Sequence, residues 1–222
     1  MGNIYHEALE RYSKKLDRES TDWFSVTDTK RDELAMEAIN EVIDEYAGFG
    51  IFDTAESQHS ISHMKAVFKQ TVWALTTQIR RGSFVPERFE FSFYESLDMA
   101  NDVTVDIKGR VDRTDTYTDE GRLFVKVLDY KSGNTVFDLV KLYYGTQLQL
   151  AVYMDAVMEQ KKEALKQVSV EPGGMLYYHI DDPVIDLKDV TPGTELSEEE
   201  INQMILKKLK PDAVSYTHLR AH

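Results

Sequence analysis

Cysteine is absent from all 222 residues, which removes disulfides, thiolate nucleophiles, cysteine-ligated zinc and iron–sulfur clusters from the chain as it stands. Only 5 prolines and 11 glycines interrupt it, too few for a collagenous, low-complexity or disordered composition. No apolar run approaches the roughly 18 residues of a membrane span, and the charged opening MGNIYHEALERYSKKLDRES lacks a signal-peptide pattern, so a cytoplasmic setting is expected. Basic charge is scarce too: 26 Lys and Arg against 39 Asp and Glu give a net charge of −13. A chain this acidic cannot grip nucleic acid over its whole surface, so any DNA contact has to be local. With no GxxxxGK[ST] stretch, ATP hydrolysis is not expected from these residues.

What is present is an ordinary globular make-up, 42% hydrophobic and 29% charged, long enough for one large domain. The apolar residues change period along the chain. Spacings of three and four predict helices over Ile4–Leu16, Arg31–Tyr46 and Ile61–Ile79. Alternation takes over at Phe89, Phe91 and Phe93 and again at Val103, Val105 and Ile107, and Arg122–Lys131 reads as a third strand. A single long helix from Leu139 to about Lys162 is expected next, then a turn at Pro172-Gly173-Gly174 and a strand over Met175–Ile180. Ser197 stands three residues before Glu200, the spacing of a capping box, and opens a last helix that Pro211 ends. The closing AVSYTHLRAH continues no pattern.

The chemistry concentrates between Asp106 and Lys131. Asp129 and Lys131 are two apart on a predicted strand and leave the same face of it. A tight hairpin turn at Glu120-Gly121 sets Asp112 directly opposite Asp129 and puts the polar Thr114 and Thr116 on the face of Val125 and Val127. Two facing carboxylates repel unless a cation lies between them, and hard oxygen ligands suit Mg²⁺ or Mn²⁺. Solvated strand residues, with Lys131 as a surface ion-pair partner, fit the spacing equally well. Elsewhere, His59 and His63 are i and i+4 but lack a third ligand, and the acidic stretch from Asp181 to Glu200 reads as a solvated face.

Three motifs carry a resemblance. GRVDRTD (109–115), LDYKSG (128–133) and QLQLAVY (147–153) together resemble the RecB-like branch of the PD-(D/E)xK nucleases. MGNIYHEALE (1–10) and Tyr143-Tyr144-Gly145 are most similar to the C-terminal nuclease domain of the AddB family, which belongs to the bacterial ATP-dependent helicase/deoxyribonucleases. The resemblance implies an α/β restriction-endonuclease-like core, a central mixed sheet flanked by helices, over residues 1–210, with 31–81 as a helical insertion and 211–222 as an unpatterned tail that need not be native. It implies a divalent metal, Mg²⁺ or Mn²⁺, held by His6, Asp112, Asp129 and the backbone carbonyl of Tyr130, with Lys131 acting on the attacking water. Gln149, Tyr153 and Arg113 are implied to place the DNA. The implied activity is exonucleolytic hydrolysis of single-stranded DNA in double-strand-break repair, with an AddA-like helicase-nuclease subunit as partner. Arg80, Arg81, Arg88, Arg110 and Arg113 are the candidates for a local DNA path.

Two departures stand out. Val111 occupies the place where the wider family often has Pro. The four cysteines expected to hold a [4Fe-4S] cluster in AddB proteins are missing, which suggests a fragment of a longer chain. A second class of function is a non-catalytic docking module of the same fold; the intact Asp112, Asp129 and Lys131 weigh against it. A two-carboxylate glycoside hydrolase ranks last, because it leaves Lys131, His6 and Gln149 without roles.

Overall fold

The computed structural model describes residues 2–48, 55–99, 103–133, 135–183 and 196–215. In order these form α1 (Gly2–Arg18), α2 (Asp28–Ala47), α3 (Ala55–Arg80), β1 (Val85–Met99), β2 (Val103–Asp119), β3 (Arg122–Lys131), α4 (Leu139–Tyr143), α5 (Gln149–Ala164), β4 (Ser169–His179), α6 (Glu198–Lys208) and β5 (Asp212–Ser215). The chain divides into two compact units, one made of 1–80, 131–134 and 178–211 and the other of 81–130, 135–177 and 212–222.

The first unit is helical. The apolar faces read from spacing are the buried ones: Ile4, Ala8, Leu9, Tyr12 and Leu16 on α1, Leu34, Ala35, Ala38, Ile39, Val42 and Ile43 on α2, and Ile61, Met64, Phe68, Val72, Leu75 and Ile79 on α3. Each large aliphatic or aromatic side chain so buried contributes about 1.5–3 kcal/mol. Phe68, wholly buried and stacked on Tyr5, is one whose truncation to Ala would cost about 3–5 kcal/mol. Thr27 caps α2 by accepting from the Lys30 N–H. The capping box at α6 forms as expected: the Glu200 N–H donates to Ser197 Oγ, and the Ser197 N–H donates to Glu200 Oε2 at 2.9 Å.

The second unit is built on a five-stranded sheet in the order β1-β2-β3-β4-β5. The β1/β2, β2/β3 and β4/β5 pairs are antiparallel. Gly173 lies against the Val125 carbonyl, and the Ile180 N–H donates to the Lys131 carbonyl, so β4 advances alongside β3 in the same direction. The sheet is therefore mixed, and the fold is α/β. Glu120 and Gly121 form the two-residue β2–β3 turn with φ of 45° and 76°, the left-handed pair that a type I′ turn demands. It fixes the expected register, from Asp119 opposite Arg122 to Arg113 opposite Leu128. Leu150, Met154 and Val157 of α5 pack on Val111, Val125 and Val127 to make this unit's core.

Three local expectations change. The long helix from Leu139 is two helices, because Gly145 takes a φ of 72° and closes α4, with the Gly145 N–H on the Leu142 carbonyl and the Thr146 N–H on that of Lys141. Gln147 then spans the break, accepting from the Asp138 N–H at 2.8 Å and donating to the Val136 carbonyl at 3.0 Å. Pro172-Gly173-Gly174 is no turn: β4 runs straight through it. A Cβ on Gly173 would stand 2.7 Å from the Phe84 ring and 3.0 Å from the Val125 carbonyl, so the glycine serves close approach rather than reversal. Residues 212–215, expected to be unpatterned, form β5 against β4. Residues 216–222 and most of the acidic 181–200 stretch lie outside the described residues.

Candidate functional site

β2 and β3 place two of the expected acids. The register of the hairpin carries Asp112 to the position beside Asp129, one step beyond the Arg113–Leu128 pair. Both carboxylates are buried, at 6% and 2% exposure. Asp112 Oδ2 accepts from the Tyr130 N–H at 2.6 Å, while Asp129 Oδ1 accepts from Gln149 Nε2 at 2.8 Å. Gln149 also donates to the Tyr153 hydroxyl at 2.8 Å, so the i, i+4 pair at the start of α5 acts as one unit over Asp129.

A third acid was not foreseen. Glu90 reads in the sequence as the polar partner of Phe89 and Phe91, but in β1 it sits opposite Asp112 with a φ of 49°. Its side chain is only 6% exposed, pairs with Arg110 Nε at 2.7 Å, and offers an oxygen within 4.8 Å of an Asp112 oxygen. A left-handed non-glycine residue inside a strand costs about 1–3 kcal/mol and re-aims the side chains around it. The alternation does break there: Phe91 packs on the core with Val111, whereas Phe89 lies 6.0 Å beneath the Arg113 guanidinium. An acidic residue between two aromatics was the available signal, and regular alternation concealed it.

All three acids bear on one neighbouring side chain, Tyr153. Burial, together with the negative charges of Asp129, Asp112 and Glu90, raises the Tyr153 phenol above its ordinary value, against the pull of its Gln149 hydrogen bond. Two ionised carboxylates at the Glu90–Asp112 spacing repel by about 3 kcal/mol at an effective dielectric near 20. A divalent cation among them reverses that sign, and a donor set made of hard carboxylate oxygens fits Mg²⁺ or Mn²⁺ rather than a thiophilic metal.

The remaining expected residues distribute as follows. His6 is half-buried on α1, and Glu10, one turn on, is engaged by Lys14 at 2.6 Å. Lys131 ends β3, half-buried, with its carbonyl bound by Ile180 at 2.9 Å. Arg113 departs from expectation: 1% exposed, it is enclosed by Asp115, Tyr130 and Phe89 and cannot contact DNA. The other arginines of the expected DNA path also have protein partners, Arg80 on Asp28, Arg88 on Gln160 and Phe91, and Arg110 on Glu90, while Arg81 is exposed. Gly109 of the GRVD stretch has a packing reason: a Cβ there would lie 2.4 Å from the Phe93 ring and 3.2 Å from Tyr153.

The β2–β3 hairpin thus carries Asp112 and Asp129, with Lys131 two residues on from Asp129, and α5 presents Gln149 to Asp129 and to Tyr153, a set of hard oxygen donors that suits a divalent cation. The matching family model is more specific. It is that of the PD-(D/E)XK nuclease superfamily, it covers residues 1–217, and the chain belongs to this superfamily. Curated relatives include the B subunit of the ATP-dependent helicase/deoxyribonuclease of Alkaliphilus metalliredigens, 34% identical over 220 residues that make up 95% of this chain and 18% of that protein. The protein of the same name from Lachnoclostridium phytofermentans is 38% identical over 186 residues, 83% of this chain and 16% of the relative. The chain thus spans less than a fifth of the length of these relatives. Among the described residues no helix is long and apolar enough to cross a membrane.

Proposed function

We propose that this chain is the nuclease part of a helicase-nuclease of the AddB kind, hydrolysing DNA phosphodiesters exonucleolytically on single strands during double-strand-break processing in the bacterial cytoplasm. The observation that carries the reading is the group of buried carboxylates, Glu90 beside Asp112 and Asp112 next to Asp129 in the hairpin register, a set of hard oxygen donors that suits a divalent cation. The nuclease domain is taken as residues 1–210, with 31–81 an insertion in it. An AddA-like partner subunit fits the names of the relatives and a chain too acidic to hold DNA by itself.

Asp112 and Asp129 hold a divalent ion, Mg²⁺ or Mn²⁺, with the Tyr130 carbonyl and the His6 imidazole completing the ligand set. Bound there, the ion lowers the pKa of a water and neutralises charge on the phosphoryl oxygens. Lys131 would supply a cationic donor that orients an attacking water and donates to the developing negative charge. Gln149 orients Asp129, since its amide donates to Asp129 Oδ1. Tyr153, whose hydroxyl proton is free to point elsewhere once its oxygen accepts from Gln149, presents a donor to the DNA backbone.

The test is degradation of end-labelled linear and of circular single-stranded DNA at low salt, with Mg²⁺, with Mn²⁺ and with EDTA, by the chain and by Asp129→Asn and Lys131→Ala variants checked for folding by circular dichroism. Metal-dependent loss of the linear substrate, sparing the circle and abolished in both variants, is expected. Cleavage that survives EDTA or both substitutions rules the assignment out, and a folded chain that never cleaves favours the docking module.

A further inference from the structure

We propose that Arg113 is a positioning residue for the metal site, acting through the Tyr130 side chain on the main chain that lies between the metal-binding acid and the lysine of the D-x-K motif. The proposal rests on the metal reading above and adds to it a residue that the sequence had placed on the DNA.

The geometry is a chain of polar contacts inside the sheet unit. Arg113 Nε and Nη2 hold the two Asp115 oxygens at 2.6 and 2.7 Å, a bidentate fork with almost no exposed surface. Lys126, directly across the hairpin from Asp115, adds a third charge at 2.8 Å and lies over the Phe84 ring at 4.7 Å. The remaining guanidinium nitrogen, Nη1, reaches the Tyr130 hydroxyl at 3.5 Å. Tyr130 is itself 2% exposed, and its N–H is the group that binds Asp112 Oδ2 at 2.6 Å. Residue 130 is thus contacted from two sides: its amide donates to Asp112, and its hydroxyl meets a guanidinium whose plane the Asp115 fork fixes.

Stability alone does not account for this arrangement. A buried Arg–Asp–Lys group is no more stabilising than apolar side chains of the same volume, and the hairpin already has an apolar layer in Val125 and Val127. What charged groups supply and apolar ones do not is orientation. A metal site tolerates little drift in its ligands, and the Tyr130 carbonyl is on the strand segment that the fork immobilises. Lysine at position 113 would keep the charge but lose the planar fork, and phenylalanine at 130 would keep the ring but lose the oxygen that the fork addresses.

The experiment measures Mn²⁺ binding by titration calorimetry on the chain and on its Arg113→Lys, Tyr130→Phe and Asp112→Asn variants, well below their melting temperatures, together with the Mn²⁺ dependence of DNA cleavage. The chain is expected to bind Mn²⁺ and Asp112→Asn to lose it. Arg113→Lys and Tyr130→Phe are expected to weaken Mn²⁺ about 10-fold, to raise the Mn²⁺ concentration for half-maximal cleavage by the same factor, and to recover kcat at saturating Mn²⁺, which a purely structural role would not produce. If Arg113→Lys fails to fold, Tyr130→Phe decides. A folded Tyr130→Phe that binds Mn²⁺ as tightly as the unsubstituted chain overturns the positioning role while leaving the metal site standing. Absence of Mn²⁺ binding by the chain itself, or unchanged binding in Asp112→Asn, overturns the metal reading and the positioning role with it.

Discussion

Gln149 and Asp129 are 20 residues apart and are joined by one 2.8 Å hydrogen bond from the first turn of α5 to the end of β3. The amide is a neutral donor, so it engages one carboxylate oxygen without adding a countercharge to Asp129. Gln149→Ala is expected to lower kcat about 10- to 100-fold with a melting temperature near that of the unsubstituted chain, because Gln149 lies on the exposed side of its helix. Tyr153→Phe, which removes only the hydroxyl that accepts from Gln149, should cost less. Steady-state cleavage of a linear single strand checks both, and equal losses would show that the two side chains act only as a pair.

Gly109 is predicted to resist even the smallest substitution. Gly109→Ala drives a methyl group into Phe93 and against Tyr153, so overpacking of about 1–3 kcal/mol is expected, with activity falling as Tyr153 moves. The check is a urea midpoint measured beside the cleavage rate. Unchanged values in both would mean that β2 shifts freely at this point.

Thr114 offers the opposite case. Its hydroxyl is wholly buried opposite Val127 and has no hydrogen-bond partner among the described residues, so it carries a desolvation cost that valine would not. Thr114→Val is expected to raise stability by about 1 kcal/mol without changing cleavage. A lower thermal midpoint would reveal a partner for the hydroxyl.

The buried hairpin network sets a pH dependence at both ends of the scale. Burial pushes the Tyr130 phenol up to about 12, against the opposing pull of Arg113, and burial pushes Tyr12 up to about 12 as well. An unfolded tyrosine titrates near 10, so the stability these two contribute is complete below about pH 10 and is lost as pH rises toward 12. Burial disfavours the charged form of Asp115, yet Arg113 and Lys126 hold its carboxyl below the usual range. Its contribution is therefore present above about pH 4 and is lost as pH falls through the lowered value. Urea midpoints at pH 8, 10 and 11 should decline, less steeply in Tyr130→Phe. Asp115→Asn at pH 7 should cost about 3–5 kcal/mol by leaving Arg113 buried without its counter-charge.

Local rules reached much of this molecule. Helical spacing found α1, α2 and α3 because each has one continuous apolar stripe. The Glu120-Gly121 turn sets the hairpin register, from Asp119 opposite Arg122 to Arg113 opposite Leu128, because a two-residue loop leaves no freedom of pairing. Rules based on residue type failed where a tertiary neighbour decided. Gly173 looked like a turn, but its role was set by Phe84, which is 89 positions away in sequence. Arg113 looked like a phosphate ligand because its charge is visible in the sequence and its burial is not. Glu90 was missed because its backbone leaves the β region, and no pattern of period two can signal its own interruption.

That backbone has a bearing on how this site could change over time. Glycine at position 90 would adopt the same left-handed conformation without the steric cost and would also relieve the crowding of acids around Asp112. Drift under selection for stability alone runs toward such a replacement. Glutamate at this position therefore carries a backbone cost and an electrostatic cost that glycine would not, so Glu90→Gly separates the two: it should stabilise the strand while removing one hard oxygen donor from beside Asp112.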